Sequence, residues 1–189
     1  MVINMNIRTA ELRDLQALTD IYNYEILNGT ATFDLAAVTP EERRPWFDSH
    51  NRDNHPLIVA DDENGVIHGY ASLSPYSQKK AYDPSVELSV YIAPDSRRMG
   101  IGTMLMKEIL DIASKDGITH TVISLITSEN SAFSMMSRSI STLTVSASSF
   151  SPRFIARILC GGSFDIGSEK SLYCSYVAFS FVIFEVSLP

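Results

Sequence analysis

Hydrophobic and polar positions near the N-terminus follow first the period of a strand and then that of a helix. The stretch "NMNIRTA" alternates apolar and polar residues, which predicts a β-strand. The next stretch, "ELRDLQALTDIYNYEIL", repeats apolar residues at helical spacing and predicts an amphipathic helix. The apolar face of this helix consists of Leu12, Leu15, Leu18, Ile21, Tyr22 and Ile26.

A second helix and a hairpin follow. In "TPEERRPWFDSH", Thr39 is a suitable N-cap, Pro40 fits the first helical position and Glu42 completes a capping box. The stretches "PLIVADD" and "VIHGYASLSPY" are strand-like, and Asn64 and Gly65 between them are residues that tight hairpin turns prefer. We therefore expect a helix and then a two-stranded hairpin.

The centre of the chain has the pattern strand, helix, strand. "VELSVYIAP" is rich in β-branched and aromatic residues and ends at Pro94. "TMLMKEILDIASKDG" predicts a helix with Gly117 as its C-cap, and "THTVISLIT" predicts a buried strand. The apolar face of the helix consists of Ile101, Met104, Leu105, Ile109 and Ile112. A crossover helix between two strands predicts parallel pairing, with an opening of ligand size at the carboxyl end of the first strand.

The composition changes near residue 133. Up to Ala132 the chain has 19 acidic and 11 basic side chains, whereas from Phe133 onward it has 3 and 4. The same 57 C-terminal residues contain 14 serines and 9 aromatic residues. Within them, "LYCSYVAFSFVIFEVSL" is almost continuously apolar but is interrupted by serines and Glu185, which favours a buried strand pair or an aggregation-prone tail over membrane attachment through residues 172–188. We therefore divide the chain into a core, residues 1–132, and a tail, residues 133–189.

Charge and composition argue against several classes of protein. With 189 residues, 45% of them hydrophobic, and a net charge of -7, the chain suits one globular domain with one active site rather than a nucleic-acid groove. Cys160 and Cys174 form no C-x-x-C motif, the histidines lack metal-ligand spacing, and the N-terminus lacks the apolar segment of a signal peptide. We expect a cytoplasmic protein with reduced thiols, no metal, no nucleic-acid partner and no membrane partner.

A turn with two glycines, between the central strand and its helix, is the first candidate for chemistry. In "RRMGIGT", Gly100 and Gly102 let the backbone approach a ligand closely, the N–H groups of the helix start favour an anion, and Arg97 and Arg98 add positive charge. The third glycine of the dinucleotide-binding pattern is Leu105 here, and the Gly-Lys-Ser/Thr of a P-loop does not occur. The turn therefore favours a pyrophosphate-containing ligand of another kind.

The spelling Arg-x-x-Gly-x-Gly between strand and helix resembles the acetyl-CoA signature of the GCN5-related N-acetyltransferase (GNAT) superfamily. The stretches "IYNYEILNGTATFD", "RPWFDSH", "AYDPSVELSVYI" and "ITSENSA" resemble, in order and spacing, its phosphinothricin and methionine sulfoximine N-acetyltransferase branch. The resemblance covers residues 1–132. It implies an α/β fold with a mixed, mostly antiparallel sheet flanked by helices, in which the C-terminal strands are atypical or missing.

The resemblance also implies where acetyl-CoA binds. Its pantetheine would lie along the strand residues Val90, Tyr91 and Ile92. Its pyrophosphate would lie on the turn residues Arg97, Arg98, Met99, Gly100, Ile101, Gly102 and Thr103. Asn130 would lie close to the cofactor, and a backbone N–H near Tyr91 would stabilise the oxyanion that forms in acyl transfer.

Glu87 is the candidate catalytic residue. An amine with a pKa of ~10 is mostly protonated at neutral pH, so acyl transfer to it needs a base. The alternation of "VELSV" also allows Glu87 to point into solvent, opposite Val86, Leu88 and Val90. The resemblance favours the base, because Glu87 stands where the family has the glutamate assigned that role.

Three further residues are implied as substrate contacts. Phe33 matches the phenylalanine of the family's "T-x-T-F" stretch, and Tyr82 matches the tyrosine of its "A-Y" stretch. Lys79 stands where the family usually has an arginine that pairs with a substrate carboxylate or phosphinate, and a lysine keeps the charge but loses the bidentate geometry. A core position for Phe33 and a solvated loop pair of Lys79 with Lys80 are the alternatives.

The function implied is acetyl transfer from acetyl-CoA to the primary amine of a small amino-acid-like substrate by direct attack, and the resemblance allows a homodimer. None of the family's C-terminal motifs is legible after Ala132. Codon arithmetic permits a shifted reading frame from about that residue, which leads to the hypothesis that the tail is frameshift-derived and the chain a catalytically impaired CoA-binding remnant. A divergent but real tail is the alternative.

Overall fold

A mixed sheet with helices on both faces organises the part of the chain that the computed structural model describes, residues 4–29, 31–32, 34–127, 154–160 and 179–186. The helices are α1 (Leu15–Asn28), α2 (Pro40–Asp48) and α3 (Ile101–Lys115). The strands are β1 (Asn6–Thr9), β2 (Leu57–Asp61), β3 (Ile67–Pro75), β4 (Ser85–Ile92), β5 (Thr121–Thr127), β6 (Phe154–Cys160) and β7 (Phe179–Val186). Short 3₁₀ turns cover Leu12–Asp14, Lys80–Tyr82 and Pro94–Ser96.

The strand order in the sheet is β1-β2-β3-β4-β5-β7-β6. Strands β4 and β5 run parallel, and every other neighbouring pair is antiparallel. This confirms the expected mixed, mostly antiparallel sheet and the predicted crossover through α3. The C-terminal strands are present: β7 pairs with β5 along its whole length, from Thr121 opposite Glu185 to Thr127 opposite Phe179.

The hydrophobic core lies on both faces of the sheet because its inner strands alternate between them. Along the fully buried β2, Leu57 and Val59 pack in the cluster on the α1 and α2 side, whereas Ile58 and Ala60 pack in the cluster on the α3 side. Helix α3 contributes a buried row at helical spacing, consisting of Ile101, Leu105, Ile109 and Ala113.

The predicted capping and turn signals are confirmed. The Thr39 hydroxyl accepts from Glu42 N–H at 3.2 Å, and the Glu42 carboxylate accepts from Thr39 N–H at 2.8 Å. The hairpin between β2 and β3 turns through Gly65 at φ 77°, a left-handed conformation that glycine adopts without strain. These local signals therefore set the ends of the elements that the sequence predicted.

Three details differ from the predicted helices. Leu12 is 50% exposed, because α1 begins at Leu15 after Asp14 has accepted the Glu11 N–H and paired with Arg8. Met104 is 41% exposed, because the buried row of α3 advances by four residues at each step. Gly117, at φ 72°, lies one residue beyond the C-cap Asp116.

The described residues lack the features of membrane-spanning and metal-binding proteins. None of the helices there has the length and hydrophobicity that crossing a membrane requires. The described side chains also include no group of three His, Cys, Asp or Glu residues that could hold a metal ion. The absence of a membrane partner and of a metal remains a prediction for the whole chain.

The sheet opens between β4 and β5, and this opening positions the candidate site. The two strands are in register at three positions, the last joining Glu87 to Ile123. Strand β4 then continues to Ile92 along β3, while β5 continues to Thr127 along β7. At the point of divergence, the Ser124 hydroxyl donates to the Leu88 carbonyl at 3.1 Å in place of a backbone bond. The result is a gap beside the carboxyl-terminal half of β4.

Removing residues 133–189 should destabilise the remaining chain. Strand β7 covers all of β5, so its loss exposes an apolar strand with unpaired backbone groups. We expect a lower melting temperature and aggregation compared with the full chain, measured by thermal unfolding and light scattering. An unchanged melting transition in a monodisperse truncated protein would show instead that the tail adds little to the core.

Candidate active site

One edge of β4 presents free backbone groups to the gap. The Pro84 carbonyl accepts from Thr121 N–H at 3.1 Å and the Leu88 carbonyl accepts from Ser124, so both point towards β5. Because alternate residues of a strand share an edge, the N–H and C=O groups of Val90 and Ile92 point the same way. The N–H of Tyr91 lies on the other edge, where Tyr91 pairs with Tyr70. The donors near Tyr91 that face the gap are thus those of Val90 and Ile92.

The N-terminus of α3 lies against the end of β4. Gly100 is its N-cap at φ 83° and provides no side chain to cap the first N–H groups. A Cβ at Gly102 would meet Ile92 of β4 at 3.8 Å, an ordinary contact, and a Cβ at Gly100 would meet nothing within 4 Å. Packing within the protein therefore does not require glycine at position 102. The free space over Gly100 and the absence of a close contact at Gly102, together with the helix dipole, are suited to a phosphate group.

The two arginines before this turn have different surroundings. Arg97 forms an ion pair with Glu25 of α1, and its guanidinium lies 5.4 Å from the Tyr24 ring. Arg98 is exposed and has a positive φ of 65°. Since Glu25 compensates the charge of Arg97, Arg97 attaches the turn to α1, and Arg98 is the better placed of the two to attract an anion.

Glu87 lies on the face of β4 that is turned towards α1 and α2. The buried Val86 and Leu88 belong to the core on the α3 side, so Glu87, Ser89 and Tyr91 alternate onto the opposite face. Glu87 is half-buried, and the ion pairs recorded among the described residues do not include it. Burial raises the pKa of the Glu87 carboxyl above its ordinary value of 4.5. An unpaired carboxylate with a raised pKa is better suited to accepting a proton than an ordinary exposed carboxylate.

A hydrogen-bonded chain leads from α2 to the position opposite Glu87. The Nδ1 atom of the buried His50 lies 2.7 Å from the Trp46 carbonyl, which requires Nδ1 to donate. Its Nε2 lies 3.0 Å from the Ser74 hydroxyl, and Ser74 is the partner of Glu87 in the β3–β4 register. Burial lowers the pKa of His50, so the neutral ring accepts from Ser74 at physiological pH. This fixes the Ser74 hydroxyl as a donor to His50 and turns its oxygen lone pairs away from the ring.

A cavity of about 260 Å³ lies between the sheet and the helices α1 and α2. It is lined by Tyr22, Asp34, Val38, Glu42, Arg43, Trp46, Ser72, Ser89 and Tyr91. The amide of Asn23 bonds the backbone of Val38 in both directions, at 2.8 and 2.9 Å, and so holds the α1–α2 connection beside the cavity. Because Ser89 lies two residues from Glu87 on the same face of β4, about 7 Å along the strand, the cavity reaches the neighbourhood of the carboxylate.

The sequence profile of the acetyltransferase (GNAT) family matches residues 19–135, more than half of the chain. The chain belongs to the GNAT family. It is therefore an acetyl-CoA-dependent N-acetyltransferase, as the motifs predicted.

Relatives of this GNAT chain act on small amino-acid-like compounds, according to their names. It is 44% identical over 115 residues to a phosphinothricin N-acetyltransferase of Streptomyces coelicolor, covering 59% of this chain and 67% of that protein. It is 33% identical over 130 residues to an L-methionine sulfoximine/L-methionine sulfone acetyltransferase of Pseudomonas aeruginosa, covering 69% and 75%. An acetyltransferase from Salmonella typhimurium, solved with acetyl-CoA, superimposes with a TM-score of 0.73 at 25% identity, covering 96% and 93%.

The family match ends close to the residue at which the composition changes. The profile stops at residue 135, and the tail contributes nothing to it beyond Met135. The charged, periodic part of the sequence ends at Ala132. The division into a GNAT core and an unmatched tail remains a proposal, as does the shifted reading frame.

The predicted site residues of the GNAT chain fall into three groups. Glu87 and the strand and turn residues from Val90 to Thr103 surround the gap and the start of α3. Lys79 and Tyr82 are exposed in the connection between β3 and β4, where Tyr82 contacts the Tyr76 ring at 5.8 Å, and neither lines the cavity. Phe33 and Asn130 lie outside the described residues.

The sequence patterns did not indicate Arg43, His50, Ser72, Ser74 or Ser89. One signal was available for two of them: Arg43, Phe47 and His50 follow each other at helical spacing, so an inward Phe47 places Arg43 and His50 inward as well. For the serines no such signal existed, because serine is common on strand faces and its role depends on its cross-strand partner.

Replacing Glu87 by glutamine should stabilise the protein at neutral pH more than at acid pH. A raised pKa means that the folded state holds the proton more tightly, so the stability linked to Glu87 is full below pH 4.5 and is lost as the pH rises through the folded pKa. Glutamine does not ionise, so the melting temperature of E87Q should exceed that of the parent increasingly from pH 4 to pH 8. The exposed Glu108→Gln serves as control. A difference for E87Q that does not change with pH would contradict the burial of this carboxylate.

Proposed function

We propose that the protein transfers the acetyl group of acetyl-CoA to the primary amine of a small amino-acid-like substrate of the phosphinothricin or methionine sulfoximine type, by direct attack with Glu87 as general base. The observation that supports this most directly is the position of Glu87. It is a half-buried carboxylate at the start of the β4–β5 gap, and its pKa is raised. It shares its face of β4 with Ser89, which lines a cavity that can admit a small acceptor.

The proposed role of Glu87 follows from the state of the amine. At neutral pH the acceptor is mostly ammonium and has no lone pair for attack, so a proton must first leave the nitrogen. Glu87 accepts it directly or through one water molecule. Ser74, opposite Glu87 and bonded to His50, supplies a polar surface for such a water. The amine nitrogen then attacks the thioester carbonyl, the C–N bond forms, the C–S bond breaks, and CoA leaves as the thiol or thiolate.

Acetyl-CoA is proposed to bind along the gap. The N–H and C=O groups of Val90 and Ile92 are available there for an extended amide-containing ligand such as pantetheine. The side chain of Tyr91, between them in sequence, lies on the face of β4 turned towards α1 and α2. One of the two N–H groups would donate to the carbonyl oxygen as negative charge develops on it. The first N–H groups of α3 would hold the pyrophosphate, with Arg98 adding charge.

Other site residues remain predictions. Phe33, Lys79 and Tyr82 are proposed substrate contacts and Asn130 a proposed cofactor contact, all carried over from the family's motifs. A homodimer remains a proposal as well. A CoA-binding remnant without turnover remains a second candidate function, favoured by the composition change at residue 133. Both candidate functions predict CoA binding, and only the acetyltransferase predicts turnover.

Replacing Glu87 by glutamine should reduce kcat/KM for methionine sulfoximine about 10²- to 10⁴-fold, the usual contribution of a general base. In the parent enzyme, kcat/KM should rise with pH through the raised pKa of Glu87, and this limb should disappear in E87Q. The measurements are CoA release at several pH values and CoA binding by calorimetry. CoA binding without turnover in the parent would support the remnant, and full activity of E87Q would exclude Glu87 as the base.

Replacing Gly102 by valine should weaken binding of acetyl-CoA about tenfold or more, because the added side chain fills the space over the start of α3. Stability should be unchanged or slightly raised, since the new Cβ makes only an ordinary contact with Ile92 and valine is a better helix former than glycine. Calorimetry with CoA and thermal unfolding separate the two effects. The exposed Met104→Val, on the same helix, is the matched control, and an unchanged affinity of G102V would place the pyrophosphate elsewhere.

A further inference from the structure

Arg43 is a buried cation in a cage of aromatic rings. Only 8% of the residue is exposed. Its guanidinium carbon lies 3.8 Å from the centre of the Tyr22 ring and 4.1 Å from that of Trp46. Its Nη2 donates to the Tyr70 hydroxyl at 2.8 Å. The two rings restrain the position of the guanidinium, because it makes a cation–π contact with each of them.

The hydrogen bonds of Arg43 are incomplete. A guanidinium has five N–H donors, and the recorded bond to Tyr70 uses one of them. The Nε atom is buried without a hydrogen-bond partner in the described structure. None of the ion pairs in the described part of the chain includes Arg43, whereas its exposed neighbour Arg44 pairs with Asp48 at 2.8 Å. Burying an arginine without an anion is costly, so the arrangement is suited to an anion that arrives with a ligand.

The cavity shows where that anion would enter. Arg43 lines it together with Ser72, Ser89 and Tyr91, which form its floor on the sheet face turned towards α1 and α2. The cavity therefore contains an unpaired cation and also includes Ser89, which lies two residues from Glu87 on the same face of β4. A ligand that spans it would place an anionic group at Arg43 and direct its remainder towards the gap.

The charges around the cavity favour a zwitterion over a simple anion. Asp34 and Glu42 also line it; Asp34 accepts from the Tyr22 hydroxyl at 2.6 Å, and Glu42 accepts from Thr39 N–H. A free dianion would be repelled by these carboxylates. An amino acid instead offers a carboxylate for the planar donors of arginine and an ammonium group that the same carboxylates attract.

We propose that Arg43 binds the α-carboxylate of the acceptor amino acid, and that the cavity between α1, α2 and strands β3 and β4 is the acceptor site. This inference rests on the proposed acetyl transfer to amino-acid-like amines. It assigns the carboxylate to a buried arginine of α2. The exposed Lys79 is then left for the more distant polar end of the substrate.

The test compares an amino acid with the amine that lacks its carboxylate, L-methionine sulfone and 3-(methylsulfonyl)propylamine. In the parent enzyme, kcat/KM for the amino acid should exceed that for the amine at least about tenfold. In Arg43→Gln that preference should disappear through a higher KM for the amino acid, while kcat/KM for the amine changes less than about threefold. Arg43→Lys should retain part of the preference, because it keeps the charge and loses the bidentate geometry. KM for acetyl-CoA should not change.

Arg44→Gln is the matched control, since it removes an exposed arginine from the same helix. A parent enzyme with no preference for the amino acid would overturn the proposal, even where Arg43→Gln does not fold. Equal losses for both acceptors in Arg43→Lys would also overturn it and assign Arg43 a structural role. A parent that acetylates neither compound would refute the proposed function. In that case the role of Arg43 is tested by calorimetry, which measures binding of L-methionine sulfone to the CoA-saturated parent and to CoA-saturated Arg43→Lys. Equal affinities of the two proteins would overturn the proposed role of Arg43.

Discussion

Strand β4 is bonded to β3 along its length but to β5 only as far as Glu87, and the site depends on this unequal pairing. Beyond Glu87, one edge of β4 keeps free N–H and C=O groups, which an exposed strand would ordinarily satisfy with another strand. The same strand is rigid, because its other edge is fully paired and its α3-side residues are in the core. A ligand can therefore bind to backbone that is both unpaired and fixed in position, at little entropic cost.

The two faces of β4 separate packing from chemistry. Val86 and Leu88 pack towards α3, and the α3 row beginning at Ile101 brings the start of that helix against Ile92. Glu87, Ser89 and Tyr91 face α1 and α2 instead. Alternation along one strand thus places the helix start, the gap and the carboxylate within a few residues of each other, although they belong to different layers of the fold.

Charged groups on the sheet face turned towards α1 and α2 are held in surroundings that do not stabilise their charge. Burial disfavours the ionised form of Glu87, and Arg43 is enclosed by rings with a phenol as its recorded hydrogen-bond partner. Neither group strengthens the folded state in the way that the Arg8 pairs with Asp14 and Asp61 do at the other end of the sheet. Groups of this kind are typical of sites in which a ligand completes the interactions.

Strand β7 of the tail, in contrast, is held in the sheet by its backbone. Backbone pairing of β7 with β5 needs little sequence specificity, so it is compatible with a segment that lacks the family's motifs.

The resemblance of the motifs to the GNAT family identified Glu87 as the candidate base. The sequence by itself determined the order and type of the elements as far as β5, the Thr39 capping box, the Gly65 turn and the glycine turn before α3. These features depend on residues close together in the chain, where periodicity, capping and glycine conformations act locally. Only the tertiary structure decided that Leu12 and Met104 are exposed, that Arg97 pairs with Glu25, and that the N–H groups of Val90 and Ile92 face the gap. It also brought together Arg43, His50 and Ser74, because their environment comes from rings and strands distant in sequence, and burial, pairing and pKa follow from those neighbours rather than from the residues themselves.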